Sequence, residues 1–356
     1  MNSFDGIKET ILSGGIEEGA YKQIRDKIQK SNRTTVLIFS TVAVIAFTAL
    51  LIVSIFVKTL APYRAIYAPG LAVSVIVWIL AKYEGDKHPA AMTADVYLFA
   101  FMLLSVGIVI GTVMSTNEIS AVYIALLLAV PQVFTDRPWR MYLLIIVSVV
   151  MFIVMTILFK NPATRSSDIT NAVLFGIISI ALCTYTNRNT IKKFYYEYQI
   201  RFLAENDQLT GLKNRYSYQQ RLDNTDMLRT DSIYCIYVDV NGLHELNNTR
   251  GHEAGDKMLQ YVASVMQNLF GKENTYRIGG DEFVALGVGK SREETEELVA
   301  KMKSAVETAG YHIAAGIGIR QKKEIEVNSI IKDAEKEMYK DKAEFYRQSG
   351  NDRRRK

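Results

Sequence analysis

Cysteine and histidine are scarce in this sequence. Only two of its 356 residues are cysteine and four are histidine. Cys183 lies in an apolar stretch and Cys235 in a predicted buried strand, so they cannot form a disulfide framework. No set of cysteine and histidine residues is available for a zinc site. The sequence therefore excludes a fold held by disulfides and a zinc centre.

Charged residues are few between residues 35 and 186, and the rest of the chain holds most of them. The formal net charge of +5 is therefore an average over two unlike halves. Acids and bases are interspersed in the second half, so no nucleic-acid partner is predicted. The length corresponds to about two domains. Composition divides the chain into a cytoplasmic N-terminal segment (1–34), a transmembrane domain (35–186), a helical linker (187–206) and a soluble domain with a basic tail (207–356).

The apolar region predicts an all-α transmembrane bundle of about six helices, since a helix needs roughly 20 apolar residues to cross a bilayer. The fourth span is the weakest, because it is short and contains Pro131 and Gln132. No span has a charge near its middle, which argues against a pump or carrier. The predicted spans are 35–57, 65–82, 94–115, 119–135, 139–159 and 169–186.

Lysine and arginine are unevenly distributed around these spans. If the N-terminus lies inside, the inner segments hold far more Lys and Arg than the outer loops. The positive-inside rule then predicts that both termini are cytoplasmic, and an even number of spans agrees. We therefore expect a multi-pass membrane protein, with the lipid bilayer as a partner.

The segment before the first span has the pattern of an amphipathic helix. Ile16, Ala20, Ile24 and Ile28 recur every four residues beside several basic side chains. This helix is expected either to lie on the membrane surface or to pack on the soluble domain. The sequence leaves both alternatives open.

The linker continues the helical pattern of the last span. Its apolar stripe has the spacing of a short coiled coil, which favours pairing between two copies of the chain. The alternative is a single amphipathic helix packed on its own domain. The stripe consists of Ile191, Tyr195, Tyr198, Phe202 and Leu209.

The soluble half predicts the element order β-α-α-β-β-α-β-α, an α+β sheet with helices mainly on one face. The apolar run 233–238 predicts a strand buried on both faces, and it ends in Asp239. Apolar and β-prone residues on both sides of residues 277–283 predict a hairpin. The strand end and the hairpin turn are therefore the places to look for polar chemistry.

The predicted hairpin turn carries two glycines and two acids, Gly279, Gly280, Asp281 and Glu282, after Arg277. Glycines allow a positive φ and let a ligand approach the backbone closely. Two adjacent acids on a tight turn repel each other unless a cation or a hydrogen-bond network compensates. The turn is therefore either a hydrated surface hairpin or a metal–phosphate site.

Asp239 and Asp281 are expected to converge if their strands are neighbours. Oxygen ligands of this kind suit Mg²⁺, which usually keeps waters and binds substrate phosphates. The sequence has no Walker lysine loop. Asn247 and Asp256 could satisfy the donors and acceptors of a guanine edge, and Lys342 could meet phosphate oxygens.

Together these residues resemble the GGDEF-domain family, the diguanylate cyclases. The resemblance covers residues 205–347, and several motifs appear in the right order and spacing. It implies a palm-like fold akin to nucleotide cyclases, in a bacterial inner-membrane protein. The matching motifs are Asp207 to Arg215, Asp239-Val240-Asn241, Asn247, Gly251-His252, Gly255-Asp256, Gly279 to Phe283, Met338-Tyr339 and Lys342.

The resemblance implies condensation of two GTP into cyclic di-GMP with release of pyrophosphate. It implies that Asp239, the Val240 carbonyl and Asp281 hold Mg²⁺ or Mn²⁺, and that Asp281 is the candidate base. Glu282 would support the placement of metal or nucleotide. A homodimer is required, because each domain binds one GTP. The guanine end of the nucleotide would be held by Asn247, His252 and Asp256.

Two positions depart from the family pattern. His244 stands where many members carry a phosphate-contacting lysine, and Tyr346 stands where an arginine usually follows Lys342. Both changes could weaken triphosphate binding. The alternative function is therefore a receptor for GTP or a cyclic dinucleotide that has lost turnover, although Asp239 and Asp281 are intact.

Overall fold

The computed structural model describes residues 3–83, 89–223, 232–321 and 327–348. The chain forms two compact units, Met1–Tyr198 and Gln199–Lys356. Each unit has its own apolar core. The division between the units falls inside one long helix, Pro162–Glu205.

The regular secondary structure in the described residues of the first unit is entirely helical. A 3₁₀ segment, Lys58–Tyr63, precedes the third helix, and a π-helical turn, Ile110–Met114, extends the fourth. The α-helices are α1 (Ser3–Ser13), α2 (Glu18–Phe56), α3 (Arg64–Tyr83), α4 (Pro89–Val109), α5 (Ala121–Val133), α6 (Pro138–Phe159) and α7 (Pro162–Glu205).

Long apolar helices indicate that this is a membrane protein. The predicted fourth span corresponds to α5, which has only 13 residues. At 1.5 Å per residue α5 is about 20 Å long, shorter than the roughly 30 Å hydrocarbon core of a bilayer. The predicted number of six spans is therefore not confirmed. Within the described residues, five stretches are long and apolar enough to cross a membrane: Lys8–Phe56, Lys58–Tyr83, Ala91–Met114, Pro138–Phe159 and Pro162–Glu205.

The amphipathic stripe of the N-terminal segment packs inside the first unit. Ile16, Tyr21, Ile24 and Ile28 are buried together with Ile191 of α7. Residues 16–28, which comprise the beginning of α2 and the two residues before it, therefore cover the beginning of the linker stripe, an arrangement that neither expectation for this segment included. The same cluster is flanked by Ala20, Phe194, Tyr195 and Tyr198.

The second unit follows the predicted order of strands and helices. Its four strands form an antiparallel sheet in the order β2-β3-β1-β4. All ten residues of the interior strand β1 are buried, as its unbroken apolar run predicted. The elements are α8 (Arg215–Asp223), β1 (Ser232–Asn241), α9 (Leu243–Arg250), α10 (His252–Phe270), β2 (Thr275–Arg277), β3 (Glu282–Val288), α11 (Arg292–Thr308), β4 (His312–Gln321) and α12 (Val327–Gln348).

Helices cover both faces of this sheet, so the expectation of helices mainly on one face is wrong. Ile236 and Val238 of β1 share a core with α10 and α11. Ile233 and Cys235 share a second core with α12 and Tyr218 of α8. Successive side chains of a strand point to opposite faces. The apolar run 233–238 of β1 presents side chains to both faces, so it needs cover on both sides.

Helix α12 lies very close to the edge strand β4, because two glycines of β4 leave room for it. A β-carbon on Gly316 or Gly318 would lie 2.1 Å or 1.9 Å from a carbonyl oxygen of α12. Glu337 and Asp341 of α12 accept hydrogen bonds from β4 backbone N–H groups at 2.7 Å and 2.8 Å. These contacts fix α12, and with it Lys342, against the sheet.

Candidate active site

The acidic residues of the two motifs meet at one end of the strand pair β1–β3. In the antiparallel register, Asp239 lies directly opposite Glu282. The Val240 N–H donates to the Asp281 carbonyl oxygen at 3.0 Å. The structure therefore brings Asp239, Val240, Asp281 and Glu282 together, and we call this group the acidic corner.

Asp239 is the most buried acid of the corner, with 4% of its surface exposed. The Lys342 Nζ lies 2.6 Å from its Oδ1 and 2.7 Å from its Oδ2. Burial raises the pKa of the Asp239 carboxyl, and the ion pair with Lys342 does not offset this effect. The charges of Asp281 and Glu282 raise the pKa of Asp239 further. The corner thus concentrates negative charge that one lysine only partly balances.

The surroundings of the corner also raise the pKa of the Lys342 ammonium group, but for a different reason. Burial alone would lower the pKa of its ammonium group, but the contact with Asp239 outweighs burial and raises the pKa. The charge of Asp281 acts in the same direction. Lys342 therefore stays protonated and lies beside the most buried acid of the corner.

The acidic corner has the donor chemistry of a hard cation site. Asp239 Oδ1 is buried and, among the described residues, its close neighbour is the ion-pair partner Lys342 Nζ and not a hydrogen-bond donor of good geometry. Carboxylate and carbonyl oxygens are the ligands that Mg²⁺ prefers. Across the described ranges, no group of three or more His, Cys, Asp and Glu side chains could hold a metal. A cation at this corner would therefore need the Val240 carbonyl or substrate oxygens as additional ligands.

Arg277 braces the turn that carries Asp281. Its guanidinium lies 2.9 Å from Asp207 Oδ1 and donates to the Gly280 carbonyl oxygen at 2.7 Å. Burial alone would raise the pKa of Asp207, but hydrogen bonds from Thr210 and Arg277 outweigh burial and lower it. Arg277 therefore ties the hairpin turn to the segment before α8 and supports the corner from outside.

Glycine is needed at position 279 because the Glu282 side chain approaches its backbone closely, and not because of its φ angle. A β-carbon at this position would lie 2.7 Å from Glu282 Oε2. Gly279 and Gly280 both lie outside the set of glycines with positive φ, so this turn does not use the left-handed conformation that glycine allows. The Glu282 carboxylate instead lies over the turn, where a side chain at position 279 would displace it.

The residues expected to meet guanine lie on the helical hairpin α9–α10, which directly follows β1. Asn247 Oδ1 is buried and has no hydrogen-bond partner in the part of the chain that the structure describes. His252 and Asp256 are exposed at the beginning of α10. The three residues therefore share one hairpin, with Asn247 between the helices and the other two facing solvent.

The two residues that depart from the family pattern lie on α9 and α12. His244 is exposed on α9, and its Nδ1 lies 3.1 Å from Asn248 Nδ2. The Tyr346 ring meets Phe345 edge-on at 5.4 Å between centroids. Tyr346 follows Lys342 by four residues on α12, so the two side chains share one face of that helix.

Asn241 is a further site candidate that was not among the predicted site residues. It is 4% exposed, and neither Oδ1 nor Nδ2 has a hydrogen-bond partner among the described residues. A buried unpaired amide costs about 1–3 kcal/mol, so this group is available to a bound substrate. The available sequence signal was its position two residues after Asp239, where an apolar strand turns polar.

Residues 204–348 match the model of the family described as "Diguanylate cyclase, GGDEF domain". The second unit therefore contains a GGDEF domain, and the resemblance seen in the sequence is confirmed. The four-stranded antiparallel sheet described above is the core of this domain.

The relatives described here each match less than half of this chain. DgcS, a diguanylate cyclase of Shewanella oneidensis, is 30% identical over 146 residues, covering 38% of this chain and 49% of that protein. An uncharacterised membrane protein of Staphylococcus haemolyticus is 26% identical over 111 residues, covering 30% and 31%. The chain spans about half or less of the length of the curated relatives it matches.

The solved structures to which this chain is similar include the coiled coil and GGDEF domain of DgcB from Caulobacter crescentus in complex with c-di-GMP. That chain is 21% identical, and the match covers 46% of this chain and 93% of that one. The TM-score is 0.41.

Proposed function

We propose that this protein is a membrane-bound diguanylate cyclase, which condenses two GTP into cyclic di-GMP and releases pyrophosphate. The observation that carries the proposal is the acidic corner. There Asp239 lies opposite Glu282, and the Val240 N–H donates a hydrogen bond to the Asp281 carbonyl oxygen. The family match of residues 204–348 and the similarity to a protein named as a diguanylate cyclase support it.

In this proposal the residues of the corner have separate roles. Asp239, Asp281 and the Val240 carbonyl would hold Mg²⁺ or Mn²⁺, which when bound would balance phosphate charge and orient the triphosphate. Asp281 would accept the proton of the 3′-hydroxyl that attacks the α-phosphate of a second GTP. Lys342 would release Asp239 and bind phosphate oxygens of the nucleotide instead. Glu282 would support this placement from above the turn.

The proposed nucleotide site extends along α9 and α10. Asn247, His252 and Asp256 would hold the guanine, since a carboxamide and a carboxylate complement its donors and acceptors. Each domain would hold one GTP, so a homodimer must bring two sites face to face. The membrane domain, placed in the bacterial inner membrane with both termini in the cytoplasm, would control this meeting.

The alternative proposal is a GTP or cyclic-dinucleotide receptor without turnover. Its support is His244 and Tyr346, which replace a lysine and an arginine of the family pattern. Full-length protein in lipid nanodiscs, supplied with GTP and Mg²⁺, separates the two functions. The cyclase releases pyrophosphate and forms a product with the mass of cyclic di-GMP. The receptor binds nucleotide and releases no pyrophosphate.

Gly255→Ala is expected to raise the KM for GTP about tenfold and to leave the fold intact. A β-carbon at position 255 would lie 2.0 Å from Asn247 Oδ1, so the amide has to move away. Loss of one hydrogen bond worth about 1.4 kcal/mol corresponds to a factor of ten. Turnover across a range of GTP concentrations, together with the melting temperature, measures the effect.

Gly19→Ala is the matched control for Gly255→Ala. Gly19 is also helical, and no described residue outside its own stretch of helix has an atom within 4 Å of its β-carbon position. We expect unchanged KM and melting temperature for this control. A Gly255→Ala protein with the KM of the unaltered chain would remove Asn247 from the nucleotide site.

A further inference from the structure

A cleft in the first unit lies among α2, α4 and α6 and has a volume of about 600 Å³. Trp139, Leu143 and Val147 of α6 line it and are also exposed at the surface of the unit. The cleft therefore opens sideways, toward the region that lipid tails occupy around a membrane protein. The remaining apolar wall comes from Ala94, Tyr97 and Leu144.

A smaller polar chamber of about 220 Å³ adjoins this cleft. Four residues, Arg25, Thr93, Trp139 and Arg140, line both spaces. Trp139 and Arg140 begin a candidate membrane span, and Arg25 precedes the apolar part of α2. Tryptophan and arginine at such positions are typical of the membrane–water interface. Cleft and chamber together therefore have an apolar part and a polar end.

The chamber has an excess of positive charge. Arg137 pairs with Glu18, and Arg140 pairs with Asp136. Asp136 is further engaged by the hydroxyls of Tyr21 and Tyr97. Arg25 has no hydrogen-bond or ion-pair partner among the residues that the structure describes. The basic side chains that line the chamber are Lys22, Arg25, Arg137 and Arg140.

Gln29 adds an acceptor to the same chamber. It is 8% exposed, and its Oε1 is buried without a hydrogen-bond partner within the described ranges. A buried carbonyl oxygen without a donor is unfavourable. A ligand that carries both a negative charge and a hydroxyl group would satisfy Arg25 and Gln29 together.

We propose that the cleft and chamber bind a phospholipid with an anionic, hydroxyl-bearing headgroup of the phosphatidylglycerol type. The phosphate meets Arg25 and Lys22, since clusters of basic side chains at the membrane surface attract anionic lipids. A headgroup hydroxyl donates to Gln29 Oε1, and an acyl chain lies along Leu143 and Val147. The site belongs to the first unit, so it does not depend on the proposed cyclase activity.

The two tryptophans of the chain provide the test. Trp139 lines the cleft, whereas Trp78 lines a different apolar groove. Full-length Trp78→Phe protein in phosphatidylcholine vesicles therefore has Trp139 as its single fluorescent reporter. Brominated phosphatidylglycerol is expected to quench Trp139 at about one-tenth of the mole fraction that brominated phosphatidylcholine needs, which is equivalent to about 1.4 kcal/mol.

Two variants in this background assign the contacts. Arg25→Gln is expected to remove most of the tenfold preference. Gln29→Met is expected to reduce the preference and to raise the melting temperature in phosphatidylcholine alone, because the unpaired acceptor is gone. Lys30→Gln is the control, since it removes an exposed charge of the same helix outside the chamber, and should keep the preference.

Three results would overturn the proposal. The first is equal quenching by the two lipids, and the second is an equal loss of preference in Arg25→Gln and Lys30→Gln. The third is relief of phosphatidylglycerol quenching by soluble glycerol phosphate, which would identify a free phosphate ester as the ligand in place of a lipid.

Discussion

Full-length protein with Asp281→Asn is expected to form cyclic di-GMP at least about 100-fold more slowly than the unaltered chain. The substitution keeps the size of the side chain but removes a charge from the acidic corner. The hydrogen bond from Val240 to position 281 involves the backbone carbonyl, so the turn and the fold should remain. Product mass and pyrophosphate release, measured in lipid, give the rate.

Glu297→Gln is the control for Asp281→Asn. It makes the same change from carboxylate to amide on the exposed face of α11, where Glu297 pairs with Lys301 one turn away. Turnover and melting temperature should both stay at the level of the unaltered protein. A rate for Asp281→Asn within threefold of that level, roughly 0.6 kcal/mol in activation free energy, would contradict the role of Asp281.

Asp239→Asn is expected to cause a similar loss of turnover and also to remove the stabilisation that Mg²⁺ gives. Burial raises the pKa of Asp239, so the folded protein keeps this proton at a pH where the unfolded chain has lost it. The stability that this group contributes is therefore present below the ordinary aspartate pKa and is lost as pH rises through the folded-state pKa. Asp239→Asn should remove this pH dependence.

Melting temperatures with and without Mg²⁺, recorded across this acidic pH range, measure the effect of Asp239→Asn. In the unaltered protein, Mg²⁺ should raise the melting temperature once Asp239 is ionised, because the ion compensates a buried charge. As the pH is lowered, turnover should be lost at a higher pH than it would be if Asp239 had an ordinary aspartate pKa. Asp333→Asn, which changes an exposed acid of the same helix as Lys342, serves as control. An identical Mg²⁺ shift in Asp239→Asn would exclude this residue as a ligand.

The order of helices and strands in the second unit could be predicted because local signals agreed with one another. The unbroken apolar run before Asp239 marked an interior strand, and the glycines and acids after Arg277 marked a hairpin turn. The same run also implied cover on both faces of the sheet. The helix α12 was predicted as a helix, but nothing local indicates which face of the sheet it covers.

The contact between Lys342 and Asp239 could not be predicted from the sequence. It depends on how closely α12 approaches β4, and Gly316 and Gly318 determine that distance. A glycine in a strand pattern only indicates that something approaches the backbone. Asn241 was missed for a related reason, because an unpaired buried amide becomes visible only when its neighbours are known.

In the membrane half, hydropathy identified apolar helices but not their partners. The N-terminal stripe through Ile24 and Ile28 was recognised, yet a stripe alone does not specify which surface it meets. The length of α5 was the warning that the fourth span differs from the others. Spans are counted by length, whereas packing depends on three-dimensional neighbours.

The burial of Ile191 by residues 16–28 of the same chain makes two associations mutually exclusive. The Ile191 side chain cannot contact residues 16–28 and the equivalent stripe of a second copy at the same time. A dimer that joins through Ile191 must therefore release residues 16–28. Residues 18–28 belong to α2, which continues without a break into the first candidate span, so their release would bend α2 or move that span, and self-association at this position would be coupled to the membrane helices.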